Sequence, residues 1–162
     1  MAMLLSEKQI TQLKRRVRET PHPREMILDV LHAIQDANGW VSDEGVELAA
    51  IILGLSPLQV EEVATFYDKI YRRPVGRKVI HICDSICCWS RGSEALMQRL
   101  QQLLGIAAGE TTIDGMFTLL PTCCLGACAD APALRIGKTL YGKVAIEQLE
   151  AILDGERTEV SS

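Results

Sequence analysis

Arg73-Pro74-Val75-Gly76, followed two residues later by Val79-Ile80-His81-Ile82, is where the pattern of this chain changes. Before it, apolar residues recur at helical spacing; after it comes a short β-branched run bounded by a Pro/Gly segment, which reads as a strand. A domain boundary is expected near residue 75, dividing the chain into 1–75 and 76–162.

Upstream, four helices announce their starts and stops. Ser6 and Gln9 have capping-box spacing, and Ile10, Leu13 and Val17 follow on one face until Thr20-Pro21-His22-Pro23 ends the helix. Met26, Ile27, Val30, Leu31 and Ile34 form a second stripe, closed by Asn38-Gly39. Ser42 starts a third helix, with Asp43 and Glu44 at its positive end, Val46, Ala49, Ala50 and Leu53 inward, and Gly54 as its stop. Ser56-Pro57-Leu58-Gln59 starts a fourth, whose expected buried stripe is Val60, Val63, Ala64 and Tyr67.

Downstream, a helix through Leu96, Leu100, Leu103 and Leu104 runs to Gly105. Strands are expected at Phe117 to Leu120, Ala133 to Ile136 and Thr139 to Val144, before a last helix carrying Ile146, Leu149 and Ile152. The predicted class is α+β: an N-terminal helical bundle followed by an α/β unit of thioredoxin-like size, its sheet covered by helices.

The 162 residues, 48% hydrophobic and 23% charged, are enough for a real core and unlike a disordered chain. A formal charge of -4 offers no positive field for a phosphate backbone, so nucleic acid is not an expected partner. The most apolar stretch, Leu48 to Leu55, is far shorter than the ~20 residues of a spanning helix, and direct membrane insertion is not expected. Met1 to Lys8 lacks the basic and long apolar regions of a secretory signal, so an intracellular protein is expected.

In a reducing compartment, cysteines serve as metal ligands or reactive thiols more often than as disulfides. All six here fall in two runs, His81-Ile82-Cys83-Asp84-Ser85-Ile86-Cys87-Cys88-Trp89 and Pro121-Thr122-Cys123-Cys124-Leu125-Gly126-Ala127-Cys128. Each follows a predicted strand, and loops at the ends of neighbouring strands can present their thiols to one point. A [2Fe-2S] cluster takes four thiolates, two from each loop. Structural zinc usually shows two residues between cysteines, a spacing absent here; a thioredoxin-type centre needs C-x-x-C, also absent; simple packing does not explain six cysteines in two runs. Spacing does not decide between Cys87 and Cys88, or between Cys123 and Cys124. Adjacent side chains in an extended loop point apart, so one of each pair is expected to reach the cluster.

These runs, with Val63-Ala64-Thr65-Phe66-Tyr67, Pro74-Val75-Gly76-Arg77, Asp114-Gly115 and Phe117-Thr118-Leu119-Leu120-Pro121-Thr122, closely resemble the E-subunit family of bacterial NADH-quinone oxidoreductase, respiratory complex I. The resemblance covers nearly the whole chain. It implies a helical N-terminal part joined to a thioredoxin-like [2Fe-2S] domain, and a ligand pattern C-x4-C then C-x3-C that maps onto Cys83, Cys88, Cys124 and Cys128. Cys87 and Cys123 become extra thiols beside the cluster. It also implies docking on the flavin- and NADH-binding subunit within the peripheral arm, at the cytoplasmic face of the inner membrane. FMN and NADH then sit on the partner, and no catalytic residue is expected in this chain. Related subunits occur in NAD-linked hydrogenases and formate dehydrogenases; a free thioredoxin-like ferredoxin and a zinc-stabilised adaptor are the readings from other classes.

Four further features carry expectations. Gly126 and Ala127 are candidates for aiming amides at cluster sulfurs, the alternative for Gly126 being a plain turn. His81 is a weaker candidate ligand, because Rieske geometry needs two histidines. Arg72-Arg73 and Arg77-Lys78 read as a solvated basic face. Gly105-Ile106-Ala107-Ala108-Gly109 lacks the context and spacing of a dinucleotide fingerprint, consistent with NADH and FMN binding elsewhere.

Overall fold

A computed structural model describes residues 4–159. The chain divides into two compact units, one ending at Pro74 and the other beginning at Val75.

In the first unit the local start and stop signals act as read. Helix α1 spans Glu7–Glu19 behind a full Ser6/Gln9 capping box. A 3₁₀ turn at Pro23–Met26 takes Met26 out of the second helix, so α2 spans Ile27–Asn38 and ends on Gly39 at φ 83°, a conformation glycine enters without a Cβ penalty. Helix α3 spans Asp43–Leu53 from its Ser42 cap, and α4 spans Pro57–Phe66 from the Ser56/Gln59 box. Val30, Leu31, Ile34, Val41, Ala49 and Val60 have no exposed surface at the centre of this bundle.

Two expectations fail here. Tyr67 is not on the buried stripe of α4: the helix ends at Phe66, Tyr67 is extended, and both rings are exposed, packed edge to face 5.3 Å apart. Arg72 is not part of a solvated face. Its guanidinium donates to Glu61 at 3.1 Å, to Asp43 at 2.7 Å and to the Val41 carbonyl, tying the segment after α4 to the start of α3.

The second unit is built on a four-stranded sheet ordered β2-β1-β3-β4. Strand β1 is Lys78–Cys83, β2 Phe117–Thr122, β3 Leu134–Ile136 and β4 Thr139–Tyr141. β1 and β2 are parallel, with Lys78 opposite Phe117 and Cys83 opposite Thr122; β3 and β4 add antiparallel. Parallel neighbours need a long crossover, supplied here by a single turn, α5 (Ile86–Trp89), and the helix α6 (Ser93–Leu104). A 3₁₀ turn at Ile146–Gln148 precedes α7 (Leu149–Glu159), so Ile146 lies outside the last helix and is exposed. Leu96 and Leu100 of α6 and Leu149 and Leu153 of α7 pack with Ile80, Ile82, Phe117, Leu119, Leu134 and Ile136. Those strand residues alternate, as one face of a pleated sheet must.

β4 stops at Tyr141, three residues short of the expected Val144, because Gly142 turns tightly against Asp130 and Lys143 is left-handed at φ 52°. Lys78, read as part of the basic run, is instead paired with the buried Glu156 of α7, which also accepts from the Tyr141 hydroxyl at 2.6 Å. Among the described residues no single helix is long and apolar enough to cross a membrane.

Candidate metal centre

The parallel pairing of β1 and β2 decides where the cysteines go. Both strands end at the same edge of the sheet, with Cys83 in register with Thr122, so both cysteine loops leave side by side. The Asp84 amide donates to the Thr122 carbonyl at 3.1 Å and the Cys83 amide to the Ala133 carbonyl at 3.2 Å, stitching the first loop to the second.

Ser85, in an extended conformation, starts the single turn α5, with the Cys88 and Trp89 amides donating to its carbonyl at 2.9 and 2.8 Å. The turn folds Cys88 back toward Cys83, and both are buried. The extended loop expected around Cys87-Cys88 is therefore a helical turn, in which successive side chains diverge by about 100°. Cys87 is exposed, yet it is near enough to Cys128 to help raise that thiol's pKa.

In the second loop Gly126, at φ 77°, reverses the chain so that its amide donates to Cys124 Sγ at 3.3 Å. Cys128 then begins a 3₁₀ turn, and Cys124 Sγ and Cys128 Sγ lie 3.4 Å apart. Cys83 and Cys88 cluster with Ala131 and Ala133, with Leu125 and Ala127 packed against them, so residues of both loops form one small core.

The thiols sense one another. Burial works against the Cys83 thiolate, but amide donation from Leu125 and Ser85, with the Cys88 and Ser85 side chains, outweighs it and lowers its pKa. Cys88 is pushed up, first by burial and then by its hydrogen bond with Cys83, against an opposing Ala133 amide; Cys83 and Cys124 charges add to the rise. Cys128 is pushed up to about 11 by its hydrogen bond and charge repulsion with Cys124, then by the same pair of effects from Cys87. Thiolates as close as Cys124 and Cys128 need positive charge to coexist, which is what iron would supply; thiolate ligation would displace the shared protons. The donor set and the amides aimed at sulfur thus suit an iron–sulfur group.

Among the described residues no three His, Cys, Asp or Glu side chains are preset around a single ion. Cys123 is exposed beyond the end of β2, and His81 is buried within β1. Gly126 was legible as an amide donor; Leu125, whose amide favours the Cys83 thiolate, was not, because nothing in a leucine's identity signals its amide direction.

A family model described as thioredoxin-like [2Fe-2S] ferredoxin matches residues 13–157. The E subunit of NADH-quinone oxidoreductase from Pseudomonas aeruginosa is 40% identical over 151 residues, covering 93% of this chain and 91% of that protein. Its namesake from Escherichia coli is 41% identical over 132 residues, covering 82% and 80%. Among solved structures, an air-oxidised NAD+-reducing [NiFe]-hydrogenase superposes with a TM-score of 0.70 at 22% identity, over 83% of this chain and 23% of that one, a likeness of fold. From the matched family model and these relatives, the chain belongs to the thioredoxin-like [2Fe-2S] ferredoxin family.

Proposed function

We propose that this chain is the electron-transfer subunit of an NADH-quinone oxidoreductase, with one [2Fe-2S] cluster held by Cys83, Cys88, Cys124 and Cys128. The choice within each adjacent pair follows the family pattern, and the observation that supports it is the meeting of both loops at one end of the sheet, where Cys83 and Cys88 are buried together and the Cys124 and Cys128 sulfurs lie 3.4 Å apart. When bound, the cluster exchanges one electron at a time and takes no hydride. The chain's own part is to hold and tune it. The Gly126 amide stabilises charge on the Cys124 sulfur and the Leu125 amide does so on Cys83, while burial around Cys83 and Cys88 limits water on that side.

The partner is the flavin- and NADH-binding subunit, whose FMN divides the hydride's two electrons, and the assembly is the peripheral arm at the cytoplasmic face of the membrane. A docking face beside the cysteines is available on α5, where Ile86 is 71% and Trp89 58% exposed. The relatives named for NADH-quinone oxidoreductase favour this assembly over the hydrogenase, to which the likeness is one of fold.

Two measurements test the reading. The purified chain is expected to be red-brown, with two iron and two sulfide and a spin-half signal when reduced; a colourless protein with stoichiometric zinc after anaerobic preparation would refute the cluster. NADH is expected to reduce that cluster only when the flavin subunit is present, as read by EPR. Reduction without a partner, or failure to form a complex with the flavin subunit, would refute the assigned role.

A further inference from the structure

The segment leaving β4 is pressed onto the second cysteine loop. A Cβ at Gly142 would stand 2.6 Å from Asp130 Cβ and 3.1 Å from the Asp130 carbonyl oxygen, an approach that side chains do not tolerate without displacement. The contact continues through backbone bonds. Lys143 donates to the Asp130 carbonyl at 2.5 Å, and Val144 donates to the Pro132 carbonyl at 3.1 Å. Lys143 also pairs with Asp130 through its ammonium at 3.2 Å, across a solvent-exposed surface. It is the only non-glycine residue with positive φ among the described residues, a conformation kept only where the surroundings impose it.

Asp130 is the third residue of the 3₁₀ turn that begins at Cys128, and its amide donates to the Ala127 carbonyl at 3.0 Å. A displacement of Asp130 is therefore transmitted through two residues of a tight turn to the Cys128 sulfur. We infer that Gly142 is a positioning residue for the cluster: its lack of a side chain lets residues 142–144 clamp Asp130 and so set the place of Cys128 opposite Cys124. This rests on Cys128 being a ligand, as proposed above.

The test uses the full cluster-bearing chain and compares wild type, G142A, G155A, G142A/D130G and G142A/D130A. Gly155 lies in α7 with open space around its Cβ position, so G155A controls for adding a methyl group to this unit. Three properties are read: the EPR g values, the midpoint potential, and the rate of iron loss to a chelator. G142A is expected to shift the first two and to lose iron about tenfold faster, the low end for disturbed outer supports of a metal site. G155A is expected to match wild type. D130G removes the clashing Cβ and is expected to restore G142A toward wild type. D130A removes the same carboxylate but keeps the Cβ, so it is expected not to. If G142A fails to assemble, the same pair of double variants decides, rescue by D130G alone supporting the clamp. A G142A chain with wild-type signal, potential and iron retention overturns the inference, as does equal rescue by D130A or no rescue by D130G. A wild-type chain without a spin-half signal would instead refute the cluster assignment on which it rests.

Discussion

Replacing Lys78 by methionine removes the cation from a buried pair while keeping an unbranched chain of similar length. Glu156 is 2% exposed, the Lys78 side chain 15%, and the same carboxylate accepts from the Tyr141 hydroxyl at 2.6 Å. Breaking a buried pair from one side costs about 3–5 kcal/mol, because the remaining charge stays out of water. Tyr141 keeps one hydrogen bond to Glu156, which favours the lower end, about 3 kcal/mol. For a domain of this size each kcal/mol moves the midpoint by roughly 4–8 °C, so Lys78→Met is expected to melt at least about 10 °C lower. The assay is visible circular dichroism of the cluster-bearing chain on heating, which reports the unit that contains the cysteines. The double variant Lys78→Met/Glu156→Leu is expected to regain most of the loss, since an apolar pair in place of a buried ion pair is often neutral. A single variant within about 0.5 kcal/mol of wild type, or a double variant weaker than the single, would show that this carboxylate is not held as a buried charge.

Serine at Cys83, Cys88, Cys124 or Cys128 is expected to abolish or strongly alter the cluster spectrum, whereas serine at Cys87 or Cys123 leaves it assembled; a normal spectrum in the Cys124 variant with loss in the Cys123 variant would overturn the register of the second loop. Asp114 is expected to lend acid-dependent stability, because donation from the Thr112 hydroxyl at 2.5 Å and then from the Met116 amide at 3.0 Å lowers its pKa in the fold. That contribution is fully present above the unfolded value of about 3.9 and is lost as pH falls through the lower folded value. Asp114→Asn should therefore flatten the stability profile in this acid range, and parallel acid-unfolding curves for variant and wild type would contradict it.

Much of the helical unit is written in short-range chemistry. Ser6 with Gln9, Ser42, and Ser56 with Gln59 satisfy helix-start donors within three residues, and Gly39, Gly54 and Gly105 take up the left-handed stops that side chains resist. Such signals need no partner from elsewhere in the chain, so they are legible in order along it. The same holds for the strand character of β1 and β2 and for the confinement of all six cysteines to the ends of these strands and the segments that follow, with Cys83 the last residue of β1. The proposed choice of ligand within each cysteine pair rests on family resemblance, because an adjacent pair carries no directional information until its backbone is known.

The tertiary structure decided what depends on that backbone and on distant residues. A single helical turn, rather than an extended loop, buries Cys88 beside Cys83 and leaves Cys87 exposed. Parallel register, not composition, brings the two loops to one edge of the sheet. Lys78 looked like a solvated cation because its partner is 78 positions away. Gly142 looked like an ordinary strand residue because the Asp130 Cβ that excludes a side chain there belongs to another loop. Capping and turn preferences act over three or four residues, and periodicity reveals which face is buried; the partners across that face are chosen only when the whole chain closes, since packing energies depend on which distant atoms meet.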